Sequence, residues 1–581
     1  NTYLWTQNKH RMIRLAFSKL LVVIILTTFS QIIKCQTTGF YNPIALPPSI
    51  SGSFGEIRSD HFHSGVDFRT NGKTGFRVYS SEKGYVSRIK VSAVGFGKAI
   101  YIDHPNGFTT VYTHLDGFSK KIAQYLENAQ YAQKTFEVEL FPGKNEILVD
   151  KGEIIAFSGN SGSSGGPHLH YEIRYTSSQI PMAPLKHFEN WKNTDTSAPT
   201  LNKIYIYQID SINYLMDSTE RKSLKFNKNR NNYQVVDTIK AYGRIGLGIE
   251  SYDYVNENSN RCGFSEISLK VNDKITYKLS LDSFAFAETK YVNSIIDYGA
   301  KILTNEEVVQ LWVDDNNKFS GLNVDKSKGF ITIENNKVYN ISIDIKDHAG
   351  NSVNLKMIIK GFNLQKKEIS TISSKSTLLE FNKEHKILAK GYEIIIPKDA
   401  LYRNLYFSHS MDSTNKKQPI YRIHNPKTPI HKRFTLRIEP NSFYYKYINK
   451  LYIGYINGKG IEFVDSKNTS GSIEANCSKF GSYTLLVDTI PPQIKPINIS
   501  NKKNLLSESK INFQLIDETG INAYAGYIDN DWVLFEWDPK NEKLTHVLDK
   551  TRIKPNSWHT LKIEVSDKLN NKSEFSCDFF W

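Results

Sequence analysis

Residues 159–174, which read GNSGSSGGPHLHYEIR, decide the fold of the N-terminal part of this chain. Polar and apolar side chains alternate from residue 168 onward, which predicts a β-strand, because residues i and i+2 share one face of a strand. One face carries His168, His170, Glu172 and Arg174. Two imidazoles ~7 Å apart on a strand can hold a metal and a neighbouring proton-transfer group. The glycines in front predict a close-turning loop beside this site.

A phosphate-binding loop is the alternative interpretation of the glycine-rich stretch. That interpretation needs a Lys-Ser or Lys-Thr pair after the glycines and a helix that begins there. The sequence has neither the pair nor a helical pattern at this point, so a nucleotide site is not expected.

Two shorter motifs precede this segment. His63 and Asp67 lie four residues apart in HSGVD, around a glycine that lets the backbone turn. His114 ends a predicted strand, FTTVYTH, which forms a hairpin with residues 99–102 across an Asn-Gly turn. Seven of the 15 histidines fall between residues 61 and 187. Such crowding of imidazoles in one candidate domain suggests metal chemistry.

Taken in order, these motifs resemble those of the lysostaphin/LytM-type zinc endopeptidases of bacterial cell walls. The matching patterns are His-x-Gly-x-Asp at residues 63–67, Tyr-x-His-Leu at 112–115 and GPHLHYE at 166–172. The resemblance covers residues 45–185 and includes the approach to the glycine-rich loop at 151–159. It implies the family fold, a small antiparallel β-sheet with a groove along one face.

The resemblance also implies the roles of five residues. One Zn²⁺ per chain would be held by His63, Asp67 and His170, with His114 and His168 as catalytic residues beside the metal. Three protein ligands leave the fourth tetrahedral position for water, as catalytic zinc requires. Zinc lowers the pKa of that water towards ~7, so the water can act as the nucleophile. One imidazole can move its proton, and the other can stabilise the oxyanion.

Other polar residues of this part leave alternatives open. Glu172 could orient a histidine by a hydrogen bond or be a plain surface carboxylate. His61 lacks the spacing of the motif and is expected outside the site, and His104 and His187 are expected to be ordinary surface residues. The segment after His114 is longer than in the family. Its predicted helix, from residue 119 to 134, either forms a wall of the substrate groove or only decorates the sheet.

The N-terminus predicts export. Arg14 and Lys19 precede the apolar run of residues 20–29, as in a secretory signal peptide, which we place at residues 12–35. A retained membrane anchor or a lipidated Cys35 is the less favoured alternative. The formal charge of +15, less the five basic residues before Gln36, leaves +10 for the mature chain. This charge fits either an anionic envelope polymer or a lysine-rich soluble protein.

Length and composition predict several β domains after the N-terminal one. At roughly 150 residues per domain, 581 residues make three or four domains, and the Tyr, Ile, Val and Thr content favours strands. Residues 195–199 (DTSAP) recur as 488–492 (DTIPP), and 339–347 (YNISIDIKD) parallel 559–567 (HTLKIEVSD). Such a repeat resembles bacterial immunoglobulin-like modules.

We therefore expect a mostly β protein. Its predicted domains are a zinc peptidase domain with an antiparallel β-sheet, an immunoglobulin-like β domain with an insertion, a β domain of unassigned type, and an immunoglobulin-like β-sandwich, at residues 36–194, 195–369, 370–487 and 488–581. The domains after residue 194 show no metal-binding or nucleophile pattern. Cys262, Cys477 and Cys577 allow one disulfide at most.

The sequence predicts an exported zinc metalloendopeptidase that hydrolyses peptide cross-links of peptidoglycan in the periplasm or cell envelope, or after secretion. Its expected partners are peptidoglycan peptides and an envelope protein bound through the C-terminal β domains. Nucleic acid is not expected. A stable membrane span is not expected either, because no later segment has ~20 uninterrupted apolar residues. The alternatives are a non-catalytic envelope scaffold or regulator and a zinc carboxypeptidase that trims stem peptides.

Overall fold

A computed structural model describes residues 39–46, 49–188, 195–209, 214–215, 219–255, 260–362, 376–415 and 418–581. The predicted signal peptide and Cys35 lie outside these residues. Within the described ranges, no helix is long and apolar enough to cross a membrane. The chain is mostly β, as predicted, with antiparallel pairing in most sheets.

Residues 39–188, here called the peptidase segment, form two antiparallel sheets. Their strands are β1 Ile50–Gly52, β2 Val66–Arg69, β3 Arg77–Tyr79, β4 Gly84–Val91, β5 Lys98–Asp103, β6 Phe108–Thr113, β7 Leu115–Phe118, β8 Val138–Leu140, β9 Leu148–Val149, β10 Ile154–Ser158, β11 His168–Tyr175 and β12 Pro181–Met182. The larger sheet has the order β1-β2-β11-β6-β5-β4-β8, and β3-β10-β7 form the smaller one. Strand β11 therefore lies between β2 and β6, and the predicted hairpin of β5 and β6 is present.

One α-helix, α1 Lys120–Gln133, lies in the long segment after His114. It agrees with the helix predicted for residues 119–134. Ile122 and Leu126 face the core of the peptidase segment. A short 3₁₀ helix, Pro184–His187, follows β12.

Described residues 195–362, here called module A, follow. The strands are β13 Thr200–Gln208, β14 Arg221–Ser223, β15 Phe226–Asn229, β16 Asn232–Val235, β17 Ile239–Ala241, β18 Gly243–Tyr252, β19 Glu266–Val271, β20 Lys274–Ser280, β21 Val309–Gln310, β22 Leu322–Val324, β23 Ile331–Ile333, β24 Val338–Lys346 and β25 Ser352–Gly361. Helix α2 is Tyr298–Thr304, and a 3₁₀ helix spans Phe286–Ser294. A five-stranded and an eight-stranded sheet enclose the core.

The core of module A also takes in four residues of the peptidase segment, namely Phe54, Ile57, Phe62 and Ala183. Phe54 stacks on Phe284 with ring centroids 4.8 Å apart, and the centroid of Phe62 lies 5.0 Å from that of Phe319. The predicted boundary at residue 194 lies outside the described residues, and hydrophobic packing joins the parts of the chain on its two sides.

Residues 376–487 form the middle β segment. Its strands are β26 Thr377–Leu379, β27 His385–Ala389, β28 Tyr392–Ile396, β29 Leu405–Phe407, β30 His409–Asp412, β31 Ile420–Ile423, β32 Phe434–Ile438, β33 Leu451–Asn457, β34 Gly460–Val464, β35 Ser466–Thr469, β36 Ser472–Cys477 and β37 Gly481–Val487, with a 3₁₀ helix at Ser442–Lys450. Two five-stranded sheets surround its own core.

Residues 488–581, here called module B, form a β-sandwich of a four-stranded and a five-stranded sheet. The strands are β38 Gln493–Pro496, β39 Lys503–Asn504, β40 Lys510–Ile516, β41 Ile521–Ile528, β42 Asp531–Val533, β43 Phe535–Asp538, β44 Lys543–Val547, β45 Trp558–Asp567 and β46 Lys572–Phe580, with a 3₁₀ helix at Pro539–Asn541. Its last hairpin, β45–β46, matches the last hairpin of module A, β24–β25, as the sequence repeat predicts.

Module B packs against α1 of the peptidase segment. The Arg552 guanidinium lies 3.5 Å from the ring centroid of Tyr131, and its Nε lies 2.9 Å from Glu127 Oε1. Trp532 contacts Tyr131 edge to face. The inserted helix therefore contacts another domain as well as the sheet beneath it.

Cys262, Cys477 and Cys577 are all buried and free, and each belongs to a different hydrophobic core.

Candidate metal centre

Three predicted ligands meet at the middle of the larger sheet. His170 on β11 pairs in register with Asp67 on β2, and His63 lies just before β2. Asp67 Oδ1 lies 3.0 Å from His63 Nε2 and 2.9 Å from His170 Nδ1. The two ring nitrogens are 2.9 Å apart. All three side chains are buried, and their atoms form a group that could hold a metal ion.

The opposite nitrogen of each ring is already engaged. His63 Nδ1 lies 2.7 Å from the carbonyl oxygen of Ser53, and His170 Nε2 lies 3.0 Å from Glu172 Oε1. These oxygens accept hydrogen bonds, so the ring protons belong on the nitrogens that face them. When both rings are neutral, as metal binding requires, the lone pairs of His63 Nε2 and His170 Nδ1 point towards Asp67 Oδ1. The donor set therefore fits a cation such as zinc.

Glu172 is a buried hydrogen-bond partner of His170. The alternative interpretation of Glu172 as a plain surface carboxylate is therefore wrong. Its side chain has no solvent exposure. Ser64 Oγ donates to Oε1 at 2.5 Å, and Arg174 Nε donates to Oε2 at 2.5 Å. Burial raises the pKa of Glu172, but Arg174 and His170 outweigh it and bring the pKa to about 2. The charged carboxylate fixes the orientation of the His170 ring.

A further arginine, which the sequence analysis missed, orients the aspartate. Arg58 donates from an Nη atom to Asp67 Oδ2 at 2.9 Å, and the same atom lies 3.2 Å from Glu56 Oε2. One oxygen of Asp67 is thus held by the guanidinium, and the other faces the histidines. Arg58 lies nine residues before Asp67 in a loop without periodic pattern, so no sequence signal marked it.

The predicted catalytic histidines lie beside this group. The ring centroid of His114 is 4.9 Å from that of His168 and 5.9 Å from that of His170. His168 Nε2 lies 3.4 Å from Asp67 Oδ1. Burial, followed by the charges of His170 and His168, lowers the pKa of His114 to about 3, so this ring is neutral.

The glycine-rich loop holds both of these rings. His114 Nδ1 lies 2.9 Å from the carbonyl oxygen of Ser161, and His168 Nδ1 lies 2.8 Å from that of Gly166. The protons therefore sit on Nδ1, and each Nε2 is left for chemistry. The loop turns closely, as predicted. Its backbone comes so near to that of Gly97 that a Cβ on Gly162 would lie 2.3 Å from the Gly97 nitrogen.

Module B reaches the same loop. The Lys540 ammonium donates to the carbonyl oxygen of Asn160 and lies 3.3 Å and 3.4 Å from those of Gly162 and Ser164. A second contact pairs Lys98 with Glu536 of module B at 2.7 Å. The loop that positions the two histidines is therefore held from a domain nearly 400 residues away in the chain.

The glycine of the first motif is needed for space. A Cβ on Gly65 would lie 2.4 Å from the Tyr171 carbonyl oxygen and 2.8 Å from His170 Nε2. Its φ is not among the positive values of the chain. The expectation that Gly65 is needed for a turn is therefore wrong. Glycine is needed at this position because the backbone passes close to strand β11.

The remaining histidines lie outside the group. His61 is exposed, and its Nδ1 lies 2.8 Å from Asp60. His104 was expected at the surface, but it is buried between the Lys83 carbonyl and the Thr110 hydroxyl. His187 is partly buried and packs edge to face on Phe40 and Phe108, so its assignment to the surface is also wrong.

Two family models match the chain. The model for peptidase family M23 matches residues 61–132, and the model for the Zu5-like domain matches residues 376–488. The second range corresponds to the middle β segment, which the sequence had left unassigned.

Curated relatives match over a limited stretch. The DD-carboxypeptidase/endopeptidase Mpg of Neisseria meningitidis is 34% identical over 112 residues, which is 19% of this chain and 20% of that protein. An uncharacterized metalloprotease of Haemophilus influenzae is 34% identical over 124 residues, or 21% of each chain. The match thus spans about a fifth of each relative.

Solved structures with similar parts include two peptidases. A zinc-containing peptidase from Vibrio cholerae is 25% identical, covering 26% of this chain and 38% of that one, with a TM-score of 0.18. The catalytic domain of lysostaphin from Staphylococcus simulans is 23% identical, covering 24% and 90%, with a TM-score of 0.18. With the family model, the curated relatives and the three motifs taken together, the N-terminal domain of this chain is a LytM-type peptidase domain of family M23.

Proposed function

We propose that this protein is an exported zinc metallopeptidase that hydrolyses peptide bonds in bacterial peptidoglycan. The observation that carries the proposal is the convergence of His63 Nε2, Asp67 Oδ1 and His170 Nδ1 within about 3 Å of one another. Membership of the domain in family M23 supports peptidase chemistry.

His63, Asp67 and His170 would hold one zinc ion per chain. When bound there, zinc supplies a Lewis acid and a coordinated water whose pKa lies near ~7. Arg58 and Glu172 keep the ligand atoms turned inward, and the buried setting strengthens each of these charged hydrogen bonds.

His114 and His168 would perform the proton transfers. Each presents Nε2 to the space beside the ligands, because the loop carbonyls hold Nδ1. A neutral Nε2 can take a proton from the nucleophile and return it to the leaving amine. A ring that carries both protons can donate a hydrogen bond to the oxyanion.

Two peptide bonds of peptidoglycan are candidate substrates. Cleavage of cross-links is our first choice, and trimming of stem peptides is the second. The Mpg relative is named as both a carboxypeptidase and an endopeptidase, so we retain both reactions as candidates. Products from defined muropeptides, identified by mass spectrometry, separate them: cross-link cleavage halves a dimer, whereas trimming releases a terminal amino acid.

The central experiment compares two neighbouring histidines. Residues 36–581 are purified as wild type, His63→Ala and His61→Ala, and each is assayed for bound zinc and for muropeptide cleavage. His61 is exposed and lies outside the ligand group, so His61→Ala is the matched control. We expect His63→Ala to lose zinc and turnover and His61→Ala to keep both. Wild-type protein without zinc, or turnover that survives His63→Ala, refutes the proposal.

Location and partners are part of the proposal. We propose cleavage of the signal peptide before Gln36 and residence in the periplasm or cell envelope, with an envelope protein bound by the C-terminal β domains. Mass determination of the mature N-terminus in the native host tests the cleavage site, and an unprocessed N-terminus contradicts it. A variant His168→Ala that retains full biological activity would favour the non-catalytic scaffold instead.

A further inference from the structure

Modules A and B each bring three aspartates together at the same end of the module. The first cluster is Asp195, Asp253 and Asp347, and the second is Asp488, Asp517 and Asp567. In each cluster the three carboxylate oxygens lie within 4.8 Å of one another. The sequence showed no metal-binding pattern here, because the three aspartates of a cluster are separated by tens of residues.

The two clusters occupy equivalent positions. The first aspartate lies at the start of its module. The second directly follows strand β18 in module A or β40 in module B, which pairs with the first strand of the module, β13 or β38. The third stands where the penultimate strand ends, at β24 or β45. The repeat therefore duplicates the cluster.

One asparagine ties each cluster together in the same way. Asn351 Nδ2 donates to the Asp195 carbonyl at 3.2 Å and to Asp347 Oδ2 at 2.8 Å. Asn571 Nδ2 donates to the Asp488 carbonyl at 3.2 Å and to Asp567 Oδ2 at 2.6 Å. The two sites thus share a framework, and they differ in their middle aspartate.

In module B the middle aspartate is satisfied by hydrogen bonds. The backbone N–H groups of Thr519 and Gly520 each donate to Asp517 Oδ1 at 2.9 Å, and Thr519 Oγ1 donates to Asp488 Oδ2 at 2.8 Å. Neutral donors therefore offset the negative charge of this cluster.

In module A the middle aspartate, Asp253, has a carboxylate oxygen without a hydrogen-bond partner among the described residues. Asp253 is 3% exposed, and this oxygen, Oδ1, is buried. Among the described residues, neither Asp253 nor Asp347 takes part in a salt bridge. No Lys, Arg or His nitrogen of these residues therefore lies within 4 Å of either carboxylate. A buried carboxylate oxygen without a partner is costly, so it needs a further ligand.

A proton is the competing occupant of this cluster. Burial, with the neighbouring charges of Asp347 and Asp195, raises the pKa of Asp253 to about 8. A proton would cancel one of the three negative charges and could bridge only two of the carboxylates. A cation placed among the three carboxylates satisfies both the charge and the lone pairs.

We propose that Asp195, Asp253 and Asp347 of module A bind a calcium ion, and that the equivalent cluster of module B does not. Calcium takes oxygen ligands at 2.3–2.6 Å, so two oxygens on one ion lie at most about 5 Å apart, which accommodates the observed spacing. Water and backbone carbonyls complete such a coordination shell.

The position of the site connects it to the peptidase segment. Asp253 and Cys262 exchange backbone hydrogen bonds of 2.9 and 2.8 Å, and Gly263 N donates to Ser53 Oγ at 2.8 Å. The carbonyl of Ser53 accepts the His63 ring proton. Calcium would therefore stiffen the segment that supports His63. This consequence rests on the proposed zinc site, whereas calcium binding itself does not.

The test uses the aspartate of module B as the matched control. Zinc-loaded residues 36–581 are prepared as wild type, Asp253→Asn and Asp517→Asn, and calcium binding is counted by equilibrium dialysis. We expect one calcium per chain for wild type and Asp517→Asn, and an affinity weakened by more than about 10-fold for Asp253→Asn, the lower limit seen for changes around a metal ligand.

Three results would overturn the proposal. They are wild type that binds no calcium at millimolar concentration, Asp253→Asn that binds as wild type does, and Asp517→Asn that loses an ion. Circular dichroism checks that each variant is folded. If Asp253→Asn fails to fold, terbium luminescence excited through Tyr252 and Tyr254 is measured on wild type. One equivalent displaced by calcium supports the site, and its absence refutes it.

Discussion

Replacement of Glu172 by glutamine separates the contribution of its charge from that of its shape. The carboxylate is fully buried and accepts from His170 Nε2 at 3.0 Å, Ser64 Oγ at 2.5 Å and Arg174 Nε at 2.5 Å. Glutamine keeps an acceptor oxygen but turns the other position into a donor, which faces either Arg174 or the Ser64 hydroxyl. The substitution therefore leaves the Arg174 charge buried without its partner.

Two magnitudes follow from this geometry. Breaking a buried ion pair by removing one partner costs about 3–5 kcal/mol of folding free energy. Arg174 also lies over Phe286, 4.6 Å from the ring centroid, so we expect the lower end of that range. Loss of an outer partner of a metal ligand weakens metal affinity by about 10–100-fold. We expect Glu172→Gln to show both effects.

The assay measures each effect separately. Urea unfolding of the zinc-free protein gives the loss of stability, and competition with a chromogenic chelator gives zinc affinity. Glu146→Gln changes an exposed carboxylate of the same segment and serves as the control. Zinc affinity equal to that of wild type in Glu172→Gln, with the protein folded, would refute the argument that this carboxylate orients His170.

Four further predictions concern single contacts. Lys540→Met should lower kcat with KM unchanged in muropeptide cleavage, because the loop that holds His114 and His168 loses its ammonium contact, whereas Lys543→Met, an exposed change nearby, should leave both constants unchanged. His168→Ala should reduce turnover by about 10²–10⁴-fold while zinc content by mass spectrometry stays at one per chain, and turnover near that of wild type would contradict its proposed role. Phe62→Ala should destabilise the protein by about 3–5 kcal/mol in urea unfolding, since the ring is buried against two others, and a loss below ~1 kcal/mol would contradict this packing. Calcium should slow the loss of zinc to a chelator, and equal rates with and without calcium would contradict the coupling through Ser53.

The sequence predicted the arrangement of the candidate side chains well where a strand imposed the geometry. His168, His170 and Glu172 lie on one face because of the two-residue period of a strand, and β2 and β6 pair with β11 through ordinary sheet hydrogen bonds. The hairpin and the inserted helix were predictable for the same reason, since each has a local signal: an Asn-Gly turn and a helical stretch.

What the sequence did not indicate was contact across long separations. Arg58 holds Asp67 from an irregular loop, Lys540 reaches the glycine-rich loop from module B, and Asp253 joins two aspartates that belong to the visible repeat. None of these residues stands in a periodic pattern or a motif. Their roles depend on how domains pack, which local propensity does not encode. For the same reason, the sequence analysis placed His104 at the surface. The neighbouring turn does not indicate that the His104 ring contacts the Lys83 carbonyl and the Thr110 hydroxyl in the interior.

The packing of Phe54, Ile57 and Phe62 into module A bears on how the metal centre is kept rigid. A fully buried apolar side chain of this size contributes about 1.5–3 kcal/mol relative to its exposed state. These three flank the loop whose Ser53 carbonyl fixes the tautomer of His63. The ligand geometry thus depends on a core that is mostly supplied by a different part of the chain. The shared core therefore supports the loop that carries Ser53 and, through its carbonyl, the orientation of the His63 ring.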